Sequence, residues 1–223
     1  MNRLTPLWVA VPAICLAACT GSLFQSKTAP PTVYLLSAGI GPAAADMPAA
    51  GRSVPATPAA KIPVDLAILR LRVRTGLESD RIAILYPDRR LDYFAGARWS
   101  GPLGEVLQDL AVQEFHSRAR LRTVSGDASV FASGYWLEIA VTDFQAEYSS
   151  ASEAPTVHVQ LLASIGSSND TRILGQFVAD ARQPATENRL SAIVDAFSRA
   201  ADAALAEIAA HADDTLAKSS EAR

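Results

Sequence analysis

The fold class of this chain is decided by the stretch Val157-His158-Val159-Gln160-Leu161-Leu162-Ala163-Ser164-Ile165. Its odd-numbered residues are all apolar, while three of the four even-numbered ones are polar. This period of two is typical of a strand with one buried face. Segments 135–148 and 173–182 alternate in the same way on either side of it. Three consecutive strands with short connections predict an antiparallel meander.

The first strand of this meander changes phase along its length. Apolar residues stand at odd positions from Tyr135 to Val141 and at even positions from Phe144 to Tyr148. One extra residue reverses the parity of a strand, so we predict a β-bulge near Asp143. The same reversal within 64–73 predicts a bulge near Ile68.

Two amphipathic helices are predicted to cover the apolar face of the sheet. Ser100-Gly101-Pro102 is typical of a helix start, with a cap at one of the first two residues and proline in the first turn. The apolar stripe of this helix runs from Leu103 to Phe115, and that of the last helix, capped by Thr186, from Leu190 to Ile208. We therefore predict an α+β two-layer sandwich: a mixed, mostly antiparallel sheet with two amphipathic helices on one face.

The amino-terminal segment has the pattern of a secretory signal peptide. A charged head with Arg3 precedes an apolar run from Leu7 to Leu16, which is shorter than the about 20 residues of a membrane span. The next residues complete a sequence that resembles the bacterial lipobox: Leu16, Ala17, Ala18 and Cys19. The resemblance implies that the Cys19 thiol receives a diacylglycerol, that cleavage precedes Cys19 and that the new amine is acylated. The alternative is an ordinary cysteine behind an Ala-x-Ala cleavage site.

The residue after the cysteine concerns localisation. In lipobox signals of diderm bacteria an Asp at this position tends to retain the protein at the inner membrane. Here the residue is Thr20, which implies anchoring at the outer membrane with the domain facing the periplasm. Three acyl chains, at about 0.8 kcal/mol per buried CH₂, would hold the protein on a membrane for its lifetime.

These patterns divide the chain into four parts. Residues 1–18 are a predicted signal peptide, and 19–63 a lipidated cysteine with a Pro/Ala-rich linker that contains a short strand at 32–36. Residues 64–211 form the predicted globular domain, and 212–223 a polar, frayed tail.

Composition and motifs argue against several function classes. Without Arg3 the mature chain has 19 Lys and Arg against 23 Asp and Glu, a net charge of −4 that disfavours a nucleic-acid partner. The sequence contains no P-loop, Gly-x-Ser-x-Gly elbow or Ser-x-x-Lys motif. We therefore predict a protein that is not an enzyme and has no catalytic, cofactor-binding or metal site.

A few polar residues are candidates for catalysis or metal binding, but each has a plainer interpretation. The three histidines lie on separate predicted elements, without spaced carboxylates, and are interpreted as exposed or satisfied: His116, His158 and His211. Asp143 and Glu147 share one strand face and could act as acid and base, but a solvated face is commoner. Asp213-Asp214 is interpreted as a solvated end.

The aromatic residues allow two interpretations. They could line a lipid groove or docking face, or pack under the helices, which we favour for Tyr93, Trp99, Tyr135 and Trp136. Trp99 directly precedes a helix start and is the predicted core anchor. Phe197, in the stripe of the last helix, is predicted to be buried.

Several stretches resemble the ABC-type transport auxiliary lipoproteins, which accompany MCE-domain lipid transporters and the paraquat-inducible system. The similar pieces are the lipobox ending at Cys19, the strand at 33–36 before a Pro-rich gap, the passage from 91–94 to 98–103, and the Ala-rich last helix. The resemblance implies a non-enzymatic part that holds or caps the outer end of a periplasmic MCE channel.

The resemblance also implies the partners, which are a membrane, through the lipid anchor, and an MCE-domain protein. Contact with lipid and assembly into a homo-oligomer stay open at this point. Two alternatives are another envelope-assembly lipoprotein with a similar sandwich and a cell-envelope hydrolase whose site the motifs do not reveal.

Overall fold

The computed structural model describes residues 30–37, 61–126, 133–150, 153–170 and 172–221. The described residues form nine strands and two helices. In chain order they are β1 Thr32–Tyr34, β2 Ile62–Ile68, β3 Arg72–Val73, β4 Arg81–Leu85, β5 Leu91–Trp99, α1 Leu103–Arg118, β6 Leu121–Ser125, β7 Tyr135–Glu147, β8 Thr156–Ser167, β9 Ile173–Pro184 and α2 Leu190–Glu221. The predicted α+β class is confirmed.

Strand β7 organises the sheet. One of its sides pairs antiparallel with β8 along its whole length, and β8 pairs antiparallel with β9, which confirms the predicted meander. Its other side pairs in succession with β2, β3 and β4, all parallel. From there the sheet divides, because β2 continues to β6 whereas β4 continues to β5 and β1. The longest pairings are antiparallel and the parallel ones are short.

Both predicted irregularities are present. Val141 pairs with Leu161 and Asp143 with Gln160, so Thr142 is the extra residue of a bulge in β7. On the other side of β7, Ile68 pairs with Leu137 and Arg72 with Ala140. Four steps along one strand therefore face three along the other, which places one extra residue between β2 and β3. There the strand is interrupted rather than continuous.

The helices lie against one face of the sheet. Helix α2 packs on β8, β9 and β2, and α1 packs on α2, β2, β3 and β6. Three fully buried rings lie between the layers: Trp99, Phe144 and Phe197. Trp99 therefore occupies the core as predicted. Tyr135 is also buried, whereas Tyr93 and Trp136 are partly exposed.

Trp136 lies on the opposite face of the sheet, across from Gly166. A Cβ at Gly166 would collide with the Trp136 ring, so this position must be glycine for the ring to occupy its place above β8. We call this face of β7, β8 and β9, opposite α2, the open face.

Both predicted helix starts are wrong in detail. Helix α1 begins at Leu103 with Pro102 as its N-cap, and no side chain caps it. Instead the Pro102 carbonyl oxygen accepts hydrogen bonds from the N–H groups of Glu105 and Val106. Helix α2 begins at Leu190, four residues after Thr186, which is therefore not its cap.

The predicted tail is also wrong, because α2 continues to Glu221. Ala212 and Leu216 are buried and extend the apolar stripe of the helix, and Asp213 is buried beside them. Asp213 is therefore not a solvated end: its carboxylate accepts a hydrogen bond from Arg118 Nε at 3.0 Å. Asp214, by contrast, is exposed.

The short strand predicted within the linker belongs to the sheet. It is observed at Thr32–Tyr34, pairs parallel with β5, and is followed by the buried Leu36. No helix among the described residues combines the length and apolar character needed to cross a bilayer.

Candidate functional site

The residues predicted to carry lipidation are Leu16, Ala17, Ala18 and Cys19, and they lie outside the described residues. Within the described part of the chain, a group of polar and charged side chains that contact one another lies on the open face of the sheet. We call it the open-face cluster: Asp143, Gln145 and Glu147 of β7, His158 and Gln160 of β8, and Asp180 and Arg182 of β9.

The strand register assembles this cluster. Gln145 pairs with His158, which pairs with Arg182 on the next strand. Asp143, Gln160 and Asp180 form the neighbouring row. The bulge at Thr142 is essential to this arrangement, because it turns the polar residues of β7 beyond it away from the core. The Thr142 hydroxyl also donates to the Gln160 backbone oxygen at 3.0 Å, which ties the bulge to β8.

His158 lies at the centre of the cluster and is buried. Its Nδ1 is 2.9 Å from Glu147 Oε1, and its Nε2 is 3.2 Å from Asp180 Oδ2. The Arg182 guanidinium donates to Glu147 Oε2 at 2.8 Å and lies against the imidazole ring, with Nη2 3.2 Å from Nδ1. Each ring nitrogen therefore faces a carboxylate oxygen. An ionised carboxylate accepts hydrogen bonds but cannot donate them.

The two carboxylates have lowered pKa values. Partial burial raises the pKa of Glu147, but hydrogen bonds from His158, Arg182 and Gln145 outweigh it and hold the pKa below its ordinary value. A hydrogen bond from Gln160 is the main reason that the pKa of Asp180 is lowered, against a smaller effect of burial and with help from His158. Both groups are therefore stabilised in their charged form by the folded state.

These shifts predict loss of stability in acid. A carboxyl whose pKa is lower in the folded than in the unfolded chain contributes stability that is complete above the unfolded value, about pH 4–5, and lost as the pH falls through the folded value. We expect the free energy of unfolding, measured in urea between about pH 6 and pH 3, to fall less steeply in Glu147→Gln than in the wild type. The control is Glu153→Gln, whose carboxylate accepts only from Ser149 among the contacts described. Parallel curves for wild type and Glu147→Gln would contradict the prediction.

The expectation that no carboxylates surround the histidines is wrong for His158. Sequence spacing along one strand does not reveal contacts across strands, and the partners of His158 stand on β7 and β9. The signal was nevertheless present as alternating polar residues on all three strands. The described residues contain no group of His, Cys, Asp or Glu suited to hold a metal ion. The side chains of the cluster hydrogen-bond to one another across β7, β8 and β9 and so stabilise the register of these three strands.

The surface of the described residues also has concave regions, one on α1 and one that borders the open-face cluster. A broad groove of about 800 Å³ follows α1 and β6, and its lining includes Glu105, Asp109 and His116. A smaller cavity of about 250 Å³ adjoins Asp143 and Gln145, between the open-face cluster and the turn that connects β4 to β5.

Comparisons with known proteins identify the relatives of this chain. A family model described as "ABC-type transport auxiliary lipoprotein component" matches residues 47–209. No curated protein matches the chain.

Solved structures share the fold. A crystal structure of a protein from Xanthomonas campestris is 21% identical, covers 85% of this chain and 99% of its own, and has a TM-score of 0.71. An uncharacterized protein is 15% identical, with coverages of 68% and 95% and a TM-score of 0.57. A hypothetical protein from Chlamydia trachomatis is 10% identical, with coverages of 70% and 99% and a TM-score of 0.50. At these identities the similarity concerns the fold alone.

Proposed function

The chain belongs to the family of ABC-type transport auxiliary lipoproteins, and from this premise we propose that it is an outer-membrane-anchored, non-catalytic subunit of an MCE-type lipid transporter. In this proposal it faces the periplasm and docks on or caps the periplasmic channel protein. The observation that carries the proposal is the family match, which spans all strands except β1 and all but the last turns of α2.

The lipobox supports the anchoring part of the proposal. Leu16-Ala17-Ala18-Cys19 provides the thiol and the small flanking residues that lipidation requires, and Thr20 in place of Asp favours the outer membrane. Only residues 20–31 separate Cys19 from β1, which begins at Thr32. An extended chain gains at most about 3.6 Å per residue, so the thirteen steps from Cys19 to Thr32 limit the distance between these two residues to about 47 Å.

The open face supports the docking part. A row of apolar residues crosses its three strands, Ala140 to Leu162 to Val178, and the last two side chains are 39% and 54% exposed. The hydrogen bonds of the open-face cluster connect the three strands beside this row. A rigid sheet face that carries exposed apolar side chains suits contact with a protein surface.

Replacing Cys19 tests the anchor. We expect Cys19→Ser to leave an uncleaved precursor without lipid, because the thioether cannot form on a hydroxyl and the peptidase acts on the modified residue. Mass spectrometry of the intact protein should show wild-type chains that begin at Cys19 with the added acyl mass. A wild-type chain that begins at another residue, without acyl mass, would contradict the anchoring.

Purification from the cell envelope tests the function. Lipidated protein solubilised in mild detergent should carry the MCE protein, the permease and the ATPase with it, identified by mass spectrometry against their own sequences. The matched control is Cys19→Ser at equal expression, which should recover much less of the complex because it lacks the anchor. A lipidated, correctly localised protein that recovers none of these subunits would refute the proposal.

A further inference from the structure

The cavity of about 250 Å³ beside the open-face cluster is lined by both apolar and cationic side chains. Three leucines line it, Leu77, Leu85 and Leu91, and so do two arginines, Arg74 and Arg89. We call it the leucine pocket. We propose that it binds the anionic end of an amphiphile: one negatively charged head group together with the first methylenes of its aliphatic chain. The inference deepens the proposed function, on which its physiological meaning rests.

The apolar part of the pocket is partly open to solvent. Leu77 is buried, whereas Leu91 on β5 is 40% exposed and pairs with Leu85 at the end of the β4–β5 hairpin that is next to the turn. Leaving leucine side chains exposed costs free energy that burial by a ligand would recover. The pocket therefore offers an apolar contact to any aliphatic group that reaches it.

Arg89 provides the charge. Its backbone has a φ of +67°, in the left-handed region that favours glycine, within the turn closed by the hydrogen bond from its N–H to the Tyr86 carbonyl oxygen at 2.9 Å. Glycine or asparagine would fit this position with less strain. Strained backbone positions concentrate at functional sites. A ligand-binding role of the guanidinium would therefore explain why an arginine occupies this position.

The other arginines nearby are already engaged. Arg74 Nη1 lies 3.6 Å from Asp143 Oδ1, so these two charges offset each other within the pocket. Arg90 lies over the Tyr86 ring, with its Cζ 4.6 Å from the ring centroid. Among the described residues Arg89 makes no ion pair, so the lining of the pocket has a net charge of +1. This balance fits one monoanionic group, and guanidinium binds carboxylate and phosphate oxygens in a bidentate manner.

The volume limits what can enter. Pockets that enclose a whole drug-sized ligand measure about 300–1,000 Å³, so this one holds only part of a lipid. A head group with the start of its chain fits, and the rest of the molecule stays outside, in a membrane or in a partner protein.

The test uses the full lipidated chain in a neutral detergent and counts bound probe by native mass spectrometry. The probe is dihexanoylphosphatidylglycerol, compared with zwitterionic dihexanoylphosphatidylcholine and with inorganic phosphate. We expect one phosphatidylglycerol to bind, at least tenfold more tightly than either comparison compound. Hexanoate is measured as a second anionic amphiphile. Higher affinity for phosphatidylglycerol would show that the site prefers a phosphodiester, and higher affinity for hexanoate that it prefers a fatty-acyl carboxylate.

Arg89→Gly is the decisive variant, because glycine removes the guanidinium and suits the φ of +67°. Binding should fall at least tenfold while Tm stays equal or rises, so loss of binding cannot be attributed to unfolding. The control is Arg90→Gln, which removes the same charge from the next residue and should keep binding within twofold.

Three results would overturn the inference: equal loss in both variants, equally tight phosphatidylcholine, or inorganic phosphate binding as tightly as the amphiphile. Arg89→Gly should still copurify with the transporter subunits. A wild-type protein that binds the probe but recovers no subunits would leave the pocket standing and refute only the proposed function.

Discussion

Phe197→Ala is expected to lower the free energy of unfolding by about 3–5 kcal/mol. Phe197 is fully buried and joins α2 to the sheet through two other rings. It stacks on Phe144 of β7, with centroids 5.0 Å apart, and meets Trp99 at the end of β5 edge to face at 5.2 Å. Such ring pairs add about 0.5–1.5 kcal/mol to the area that they bury. Truncation would also leave a cavity between the layers, so the upper part of the range applies.

The measurement is urea unfolding followed by circular dichroism. Phe177→Ala is the matched control, since Phe177 on β9 lies at the edge of the core, is only partly buried, and has a ring pair with His211 instead of with Trp99, Phe144 or Phe197. It should cost clearly less. If Phe197→Ala does not fold, Phe197→Leu keeps most of the volume and should give a smaller, measurable loss. Equal losses for Phe197→Ala and Phe177→Ala would show that the three-ring cluster has no special weight.

The periodicity of the sequence was sufficient for the elements that alternate strictly or carry a continuous stripe. The meander, the bulge near Asp143 and the burial of Phe197 all follow from which positions are apolar, and the burial of Trp99 follows from its place before a helix start. Parity alone also indicated that β2 and β3 are out of phase. What periodicity cannot give is the order of strands, because the pairing of β2, β3 and β4 along one side of β7 depends on contacts between distant segments.

The candidate site was missed for the same physical reason. His158 meets Glu147 and Asp180 only because three strands align in one register, and no spacing within a single strand encodes that. The end of α2 was a different kind of error. The apolar stripe continues through Ala212 and Leu216, so the sequence contained the signal that the helix extends this far. The two adjacent aspartates instead favoured the interpretation of a solvated end. The sequence alone does not distinguish a buried acidic residue from an exposed one, because the arginines that pair with it come from distant segments.

Asp213→Ala is therefore expected to be strongly destabilising, by about 3 kcal/mol. The Asp213 side chain is 1% exposed and lies 3.0 Å from Arg118 Nε and 3.6 Å from Arg120 Nη1. These arginines stand at the end of α1 and just before β6, so one carboxylate holds three elements together. Removing one partner of a buried ion pair leaves the other charge uncompensated, which typically costs about 3–5 kcal/mol. The lower value applies because both arginines keep about a quarter of their surface in water and Arg118 also reaches Glu114 at 3.7 Å.

Asp214→Ala is the matched control, because the next residue is exposed and should change stability by less than about 0.5 kcal/mol. The double variant Asp213→Ala with Arg120→Met should recover part of the loss, since it removes a stranded charge and fills its place with an apolar side chain. Recovery would show that the cost of Asp213→Ala arises from unpaired arginine rather than from lost helix. A loss of similar size in Asp213→Ala and Asp214→Ala would contradict the ion-pair account, because then only the position in the helix, and not the buried contact, would matter.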